Sequence, residues 1–279
     1  MFRLYLITGI IFIQLISAAQ PYVDPLNIRY THAFKGKNKP ATPFQHLYLG
    51  SDLPVKLKNN ALFVFSPFYE SWNIDSADKK DFLPEVSSIA FPIIAQIPLQ
   101  NKSLSLTLAA IPKFNSEGLK LNGNTFQMGG IATINYKYNE TLKYKLGVYV
   151  NSDQFGLFVI PLGGVDWKIN AHNYLFGLLP GRLTYEHKIT DHFYTGVNFR
   201  ALTFSYLLNN GSYLRIDDNQ LSAYLDCYAT KNVVISTEAG YGIMRKLRAG
   251  NGHNKNYTTD YNWGDGLFVK LCASYRIRL

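Results

Sequence analysis

The last thirteen residues, LFVKLCASYRIRL, place Leu267, Val269, Leu271, Ala273, Tyr275, Ile277 and Leu279 at one parity. Lys270, Cys272, Ser274, Arg276 and Arg278 take the other, with Phe268 as the exception. Successive side chains of a strand point to opposite faces, so this is a ribbon with one apolar and one polar side. Soluble strands usually run about five or six residues, whereas roughly nine to eleven tilted residues cross a bilayer. A chain made of such ribbons is confined to a membrane barrel or a secreted β-sandwich.

The pattern recurs along the chain. NIRYTHAF carries Ile28, Tyr30, His32 and Phe34 on one face, and HLYLGSDLPVKL carries Leu47, Leu49, Leu53, Val55 and Leu57. In TFQMGGIATINYKY, Phe126, Met128, Ile134 and Tyr136 oppose Gln127, Thr133, Asn135 and Lys137. FYTGVNFRALTFSYL alternates Phe193, Val197, Phe199 and Ala201 with Tyr194, Gly196, Asn198 and Arg200; QLSAYLDCYA and VVISTEAGYGI follow. Pro92 and Pro98 mark a bulge or an end in EVSSIAFPIIAQIPL, because proline cannot donate to a ladder.

The connections separate sandwich from barrel. Every second one is short and polar: KNN (58–60), QNK (100–102), NET (139–141), NAHN (170–173), TDH (190–192) and TKN (230–232). The others are mostly longer, as at Lys35–Phe44, Asn73–Leu83, Asn115–Asn124 and Arg245–Asp265. Outer-membrane barrels have this asymmetry, with short periplasmic turns and longer outer loops. The expectation is an all-β, antiparallel, up-and-down transmembrane barrel of about fourteen strands, or twelve if the weak strands around Pro180 do not reach across.

The N-terminus agrees. Arg3 precedes an apolar run from Leu4 to Ile16, and Ser17-Ala18-Ala19 offers small residues at a cleavage site. This reads as a signal peptide over 1–19, with the barrel over 20–279 in the cell outer membrane. After residue 19 no stretch has the length of a spanning helix. Aromatic residues make up 15% of the chain, and charged residues 17% against about 25% in soluble domains. The net charge of +9 is spread without a dense patch, which argues against nucleic acid and for lipopolysaccharide phosphates or anionic solutes. Cys227 and Cys272 fall on opposite faces of their strands, so two free thiols are expected.

Two resemblances add to this reading. The ending resembles the signal that outer-membrane barrels present to their assembly machinery, although Leu279 stands where Phe is more usual. LKYKLGVYVNSDQFGLFVIPLGGVDWKIN and the FGLLPG turn after it resemble an uncharacterised outer-membrane β-barrel family of Gram-negative bacteria. The likeness implies fold and location, and carries no functional residues across.

Chemistry-bearing constellations are few. No HExxH and no zinc-type Cys/His spacing occurs, so neither metal nor cofactor is expected. His187 and His192 bracket a short turn, and His253 lies in the last long loop. Ser212 sits in NNGS without GxSxG or a nearby His in sequence, a poor setting for a lipid hydrolase. The glycine pairs Gly129-Gly130 and Gly163-Gly164 read as bulges or tight wall contacts. The inward face is expected to carry Asp52, Lys56, Glu70, Lys113, Lys137, Arg200, Asp226, Glu238, Lys270, Arg276 and Arg278, narrowed by Tyr48, Phe68, Tyr149, Tyr194 and Tyr224. These charges either line a water-filled pore or pair into a closed polar core. The functional expectation is a passive porin-like channel for small polar solutes. The alternative is a non-conducting structural or surface-binding barrel acting through its outer loops, and an enzyme is not expected. Leu279 and Ile277 are expected to close the barrel near Ile28 and Tyr30.

Overall fold

The computed structural model describes residues 21–35, 42–57, 61–75, 83–252, 256–261 and 263–278. The expected leader, His253 and Leu279 lie outside them. Among the described residues every regular element is a strand. In chain order they are β1 (Tyr22–Ala33), β2 (Phe44–Gly50), β3 (Leu53–Lys56), β4 (Leu62–Phe65), β5 (Phe68–Ile74), β6 (Val86–Ala90), β7 (Ile93–Pro98), β8 (Leu104–Glu117) and β9 (Phe126–Lys137). There follow β10 (Leu142–Asp153), β11 (Gly156–Lys168), β12 (Asn173–Leu179), β13 (Arg182–Lys188), β14 (Phe193–Leu207), β15 (Ser212–Tyr228), β16 (Val233–Asn251), β17 (Tyr257–Asp260) and β18 (Gly266–Arg278).

Three of these are continuations. β2 with β3, β4 with β5, and β6 with β7 each form one wall strand, interrupted where Asp52, Pro67 and Pro92 break the ladder. β17 is a short addition to β16. The remaining wall has fourteen antiparallel strands in sequential order, closed where β1 pairs with both β18 and β2. β12 and β13 are only seven residues each but do take their places in it.

Closure occurs in a different register from the one the sequence leads one to expect. Ile277 pairs with Val23, while Ile28 and Tyr30 face Ala273 and Leu271. The cause is that β1 starts at Tyr22, five residues before NIRYTHAF, and passes Pro25 through a register shift between Val23 and Leu26. A bulge accommodates the missing donor without ending the strand.

Outward side chains are apolar and open. Leu146 is 73% exposed and Leu271 57%. Tyr136, Tyr138, Tyr144, Trp167, Tyr185, Phe193 and Tyr275 project on the same side near the short turns. This is the aromatic girdle of a membrane interface. Inward glycines allow the wall to bend sharply around the short hairpin. A Cβ on Gly196 would stand 1.9 Å from the Tyr185 carbonyl oxygen, and one on Gly164 2.3 Å from that of Gly177. Gly163 has open space, so only one member of that pair is a tight contact.

The long-loop end departs from a simple cylinder. β12 and β13 stop at Leu179 and Arg182, so β11 above Gly163 and β14 above Arg200 have no neighbour on that side. The upper half of β14 crosses the lumen instead. Ser205 accepts from Asn115 Nδ2 and Gln127 Nε2 through its carbonyl, at 3.1 and 2.9 Å, while Tyr206 donates to Glu70 Oε1 at 3.2 Å. Leu207 then bridges to Ser116 of β8. At this level the ring is β1, β2, β5, β6, β8, β14, β15, β16 and β18, and β9–β11 stand outside it. Ala33, Phe44, Trp72, Tyr206, Leu214, Ile216, Leu247 and Phe268 fill this smaller ring as a dry core. β15 and β16 are correspondingly longer than expected, starting at Ser212 and ending at Asn251. The expected Arg245–Asp265 loop therefore begins at Gly252 and contains β17. The added length of β15 packs against protein on both sides, whereas that of β16 leaves Met244 64% exposed; neither continues the lipid-facing alternation below it.

Candidate functional site

The candidate site is the lumen between the short-turn mouth and the dry core. Inward parity brings charged side chains from distant strands to a common interior, where burial demands partners. Arg276 reaches Asp24 at 2.7 Å and Asp226 at 2.6 Å, with its guanidinium 3.7 Å from the Tyr22 ring centre. Arg278 binds Glu186 through both terminal nitrogens at 2.9 Å and lies 3.6 Å from the Tyr194 ring centre. Lys270 donates to Glu238 at 2.7 Å, and Ser222 donates to the same carboxylate. Such charge-assisted contacts are the stronger class of hydrogen bond, so these groups form fixed struts.

Of the other expected inward residues, Glu70 is buried and takes His46 Nε2 at 3.0 Å, with His46 stacked on Trp72. Asp52 accepts from Ser66 Oγ at 2.7 Å. Lys113 is buried 5.8 Å from the Phe204 ring centre, without an ion pair among the described residues. Lys137 is drawn to Glu140 in the adjoining turn at 2.6 Å, and Lys56 is exposed at the end of β3. Arg200 lines the middle of the lumen. Tyr48 and Phe68 stack there, with ring centres 5.5 Å apart. Cys272 faces the lumen and accepts from Asn27 Nδ2 at 3.1 Å, while Cys227 lies opposite Phe193 and Ile235 on the other face. Ser212 Oγ donates to Asn210 Oδ1 at 2.6 Å.

Several lumenal residues escape a reading by composition and strand ends. Arg29 is missing from the expected inward set although its alternation with Ile28 and Tyr30 would have placed it there. Asp24 precedes Pro25 and looks like loop. Arg182 and Glu186 belong to the short hairpin around Pro180, where two apolar positions are too few to fix a face. Lys145–Asp166 at 2.6 Å and Arg245–Asp218 at 2.7 Å are further pairs that the sequence did not disclose, as are Arg215 and Arg248 on Asp217 at 2.8 and 2.7 Å.

Open space remains between the struts. A mouth of about 350 Å³ is bordered by Lys143, Asp166, Lys188 and Arg278. Two central chambers of about 160 and 240 Å³ share Arg29, Tyr48, Arg182 and Arg200. A fourth, of about 390 Å³, lies beside them, its wall including Val64, Ile94, Ile131 and Leu178.

A closed antiparallel wall, apolar outside and charged within, defines a transmembrane β-barrel. Among solved structures the chain is similar to NanC porin at 8% identity and a TM-score of 0.43, covering 90% of this chain and 100% of that one. It is similar to an outer membrane channel from Pseudomonas putida F1 at 10% and 0.48, covering 92% and 97%, and to Salmonella typhi OmpF at 9% and 0.32, covering 90% and 96%. No family model and no curated protein matches the chain. At these scores the fold stands on the chain's own strand pairing.

Proposed function

We infer that the chain is an outer-membrane β-barrel of porin-like build, passing small polar solutes through a narrow, charged lumen. The observation that carries this reading is the succession of polar chambers from the short-turn mouth to the central arginines. A barrel that only had to be stable would fill that volume with packed side chains. The outer-membrane setting rests on the outward apolar surface and its aromatic girdle, with short turns toward the periplasm. Lipopolysaccharide and lipid are then the natural partners of the wall, and β18 is the segment offered to the assembly machinery. No enzymatic role is assigned; Ser212 Oγ is engaged by Asn210. Lipid turnover lost in Ser212→Ala would reverse that.

The dry core at the long-loop end favours a second reading, a non-conducting barrel acting through its outer loops. Planar-bilayer recording separates the two. The channel reading expects small ohmic steps that grow in Trp72→Ala, which thins the core. A folded barrel that insulates both as wild type and as Trp72→Ala establishes the second reading.

A further inference from the structure

The central arginines are left over after the lumenal charges are paired. Arg276 takes Asp24 and Asp226, Lys270 takes Glu238, and His46 and Tyr206 take Glu70. Arg29, Arg182 and Arg200 form no ion pair among the described residues. Arg29 lies 4.4 Å from the Tyr48 ring centre, with its Nε buried and unpartnered. Arg182 spends two donors on neutral groups, Thr184 Oγ1 at 3.1 Å and Tyr22 Oη at 3.3 Å. Two carboxylates in these chambers have no Lys or Arg partner among the described residues: Asp52, held by the Ser66 hydroxyl, and Glu70, held by His46 and Tyr206. Because Arg276 holds two carboxylates, the cations and carboxylates lining the two central chambers balance, and what remains for an anion is the unpaired guanidinium donors of Arg29, Arg182 and Arg200.

The neighbouring space has a different character. Arg182 borders all three inner chambers. The third presents Val23, Val64, Ile94, Ala109, Ile131 and Leu178, although it lies inside the barrel. Barrel interiors are ordinarily polar, so apolar inward residues there need a reason. Their adjacency to unpaired guanidiniums supplies one.

We propose that this junction binds a small carboxylate with an apolar body, its head on Arg29, Arg182 and Arg200 and its body against Val64, Ile94, Ile131 and Leu178. Planar guanidinium forks match a carboxylate, and the chamber removes the attached hydrocarbon from water. Chamber volumes of hundreds of Å³ suit a short-chain or single-ring acid. The inference rests on solute entry from the short-turn end, which the channel reading also needs, but not on passage through the dry core.

The test is calorimetric titration of the full barrel in lipid nanodiscs, with empty nanodiscs subtracting partition into lipid. The probes are hexanoate, acetate and hexylammonium. Hexanoate should bind saturably, acetate at least tenfold more weakly, and hexylammonium not at all. Arg200→Gln, which removes no hydrogen bond of the described wall, should weaken hexanoate about tenfold. Ile131→Asn should weaken hexanoate while leaving acetate as it was, and Asp52→Asn should tighten both. Absent saturable hexanoate binding, equal affinity for acetate, or unchanged binding in Arg200→Gln with Arg182→Gln, the proposal is overturned. Bilayer recordings of the same preparations keep the two readings apart: binding in an insulating barrel removes the channel and leaves the site, and conductance without binding does the reverse.

Discussion

Single side chains in this barrel divide into those that hold a partner in the dry interior and those that do so in water. Arg245 and Asp218 are fully buried and 2.7 Å apart, with the guanidinium 5.0 Å from the Phe44 ring centre and 5.6 Å from that of Trp263. Removing one partner of such a pair strands a charge, at about 3–5 kcal/mol. Asp218→Ala should therefore lower markedly the temperature at which the compact band converts to the unfolded one on a heat-modifiability gel. Lys137–Glu140 is as short, but the glutamate side chain is 87% exposed. Exposed pairs contribute about 0–1 kcal/mol, so Glu140→Ala should leave that temperature where it was.

Strands respond according to depth. Leu271 lies midway along β18, pairs with Tyr30 and Thr237, and faces lipid. A lipid-facing arginine costs about 2–4 kcal/mol at the bilayer midplane and about 0–1 near an interface. Leu271→Arg should sharply reduce the compact fraction in vesicle refolding, and Ile277→Arg, beside the mouth, should do so only slightly. The same contrast explains what the sequence disclosed. Where one face met lipid and the other the lumen, alternation placed the strand and its inward charges, as in β9 and β18. In β14 the apolar residues change sides without an inserted residue, from Phe193, Val197 and Phe199 outward to Leu202, Phe204 and Tyr206 inward. β15 repeats this, with Leu214 and Ile216 inward above Leu221 and Leu225 outward. That change of phase is the sequence trace of the dry core, and it resembles a strand ending unless the closed ring is known. The pairings themselves were not legible, because Arg276 and Asp24 meet only when the first and last strands join.

For the molecule as a whole, orientation can be read in intact cells. In a Cys227→Ser, Cys272→Ser background, a membrane-impermeant thiol dye should label Asn122→Cys and Asn210→Cys from outside. It should leave Glu140→Cys and Lys231→Cys unlabelled until the outer membrane is opened. The reverse pattern would place the dry core in the periplasm. The core has a consequence beyond conduction. It is built almost wholly from wall strands, so the packing of the long-loop end and the form of its turns are set by different residues. The turn around Gly123, whose Cβ position meets nothing within 4 Å, lies beyond that ring and bears little of its packing. Such turns can change in length and sequence while the core beneath them stays as it is.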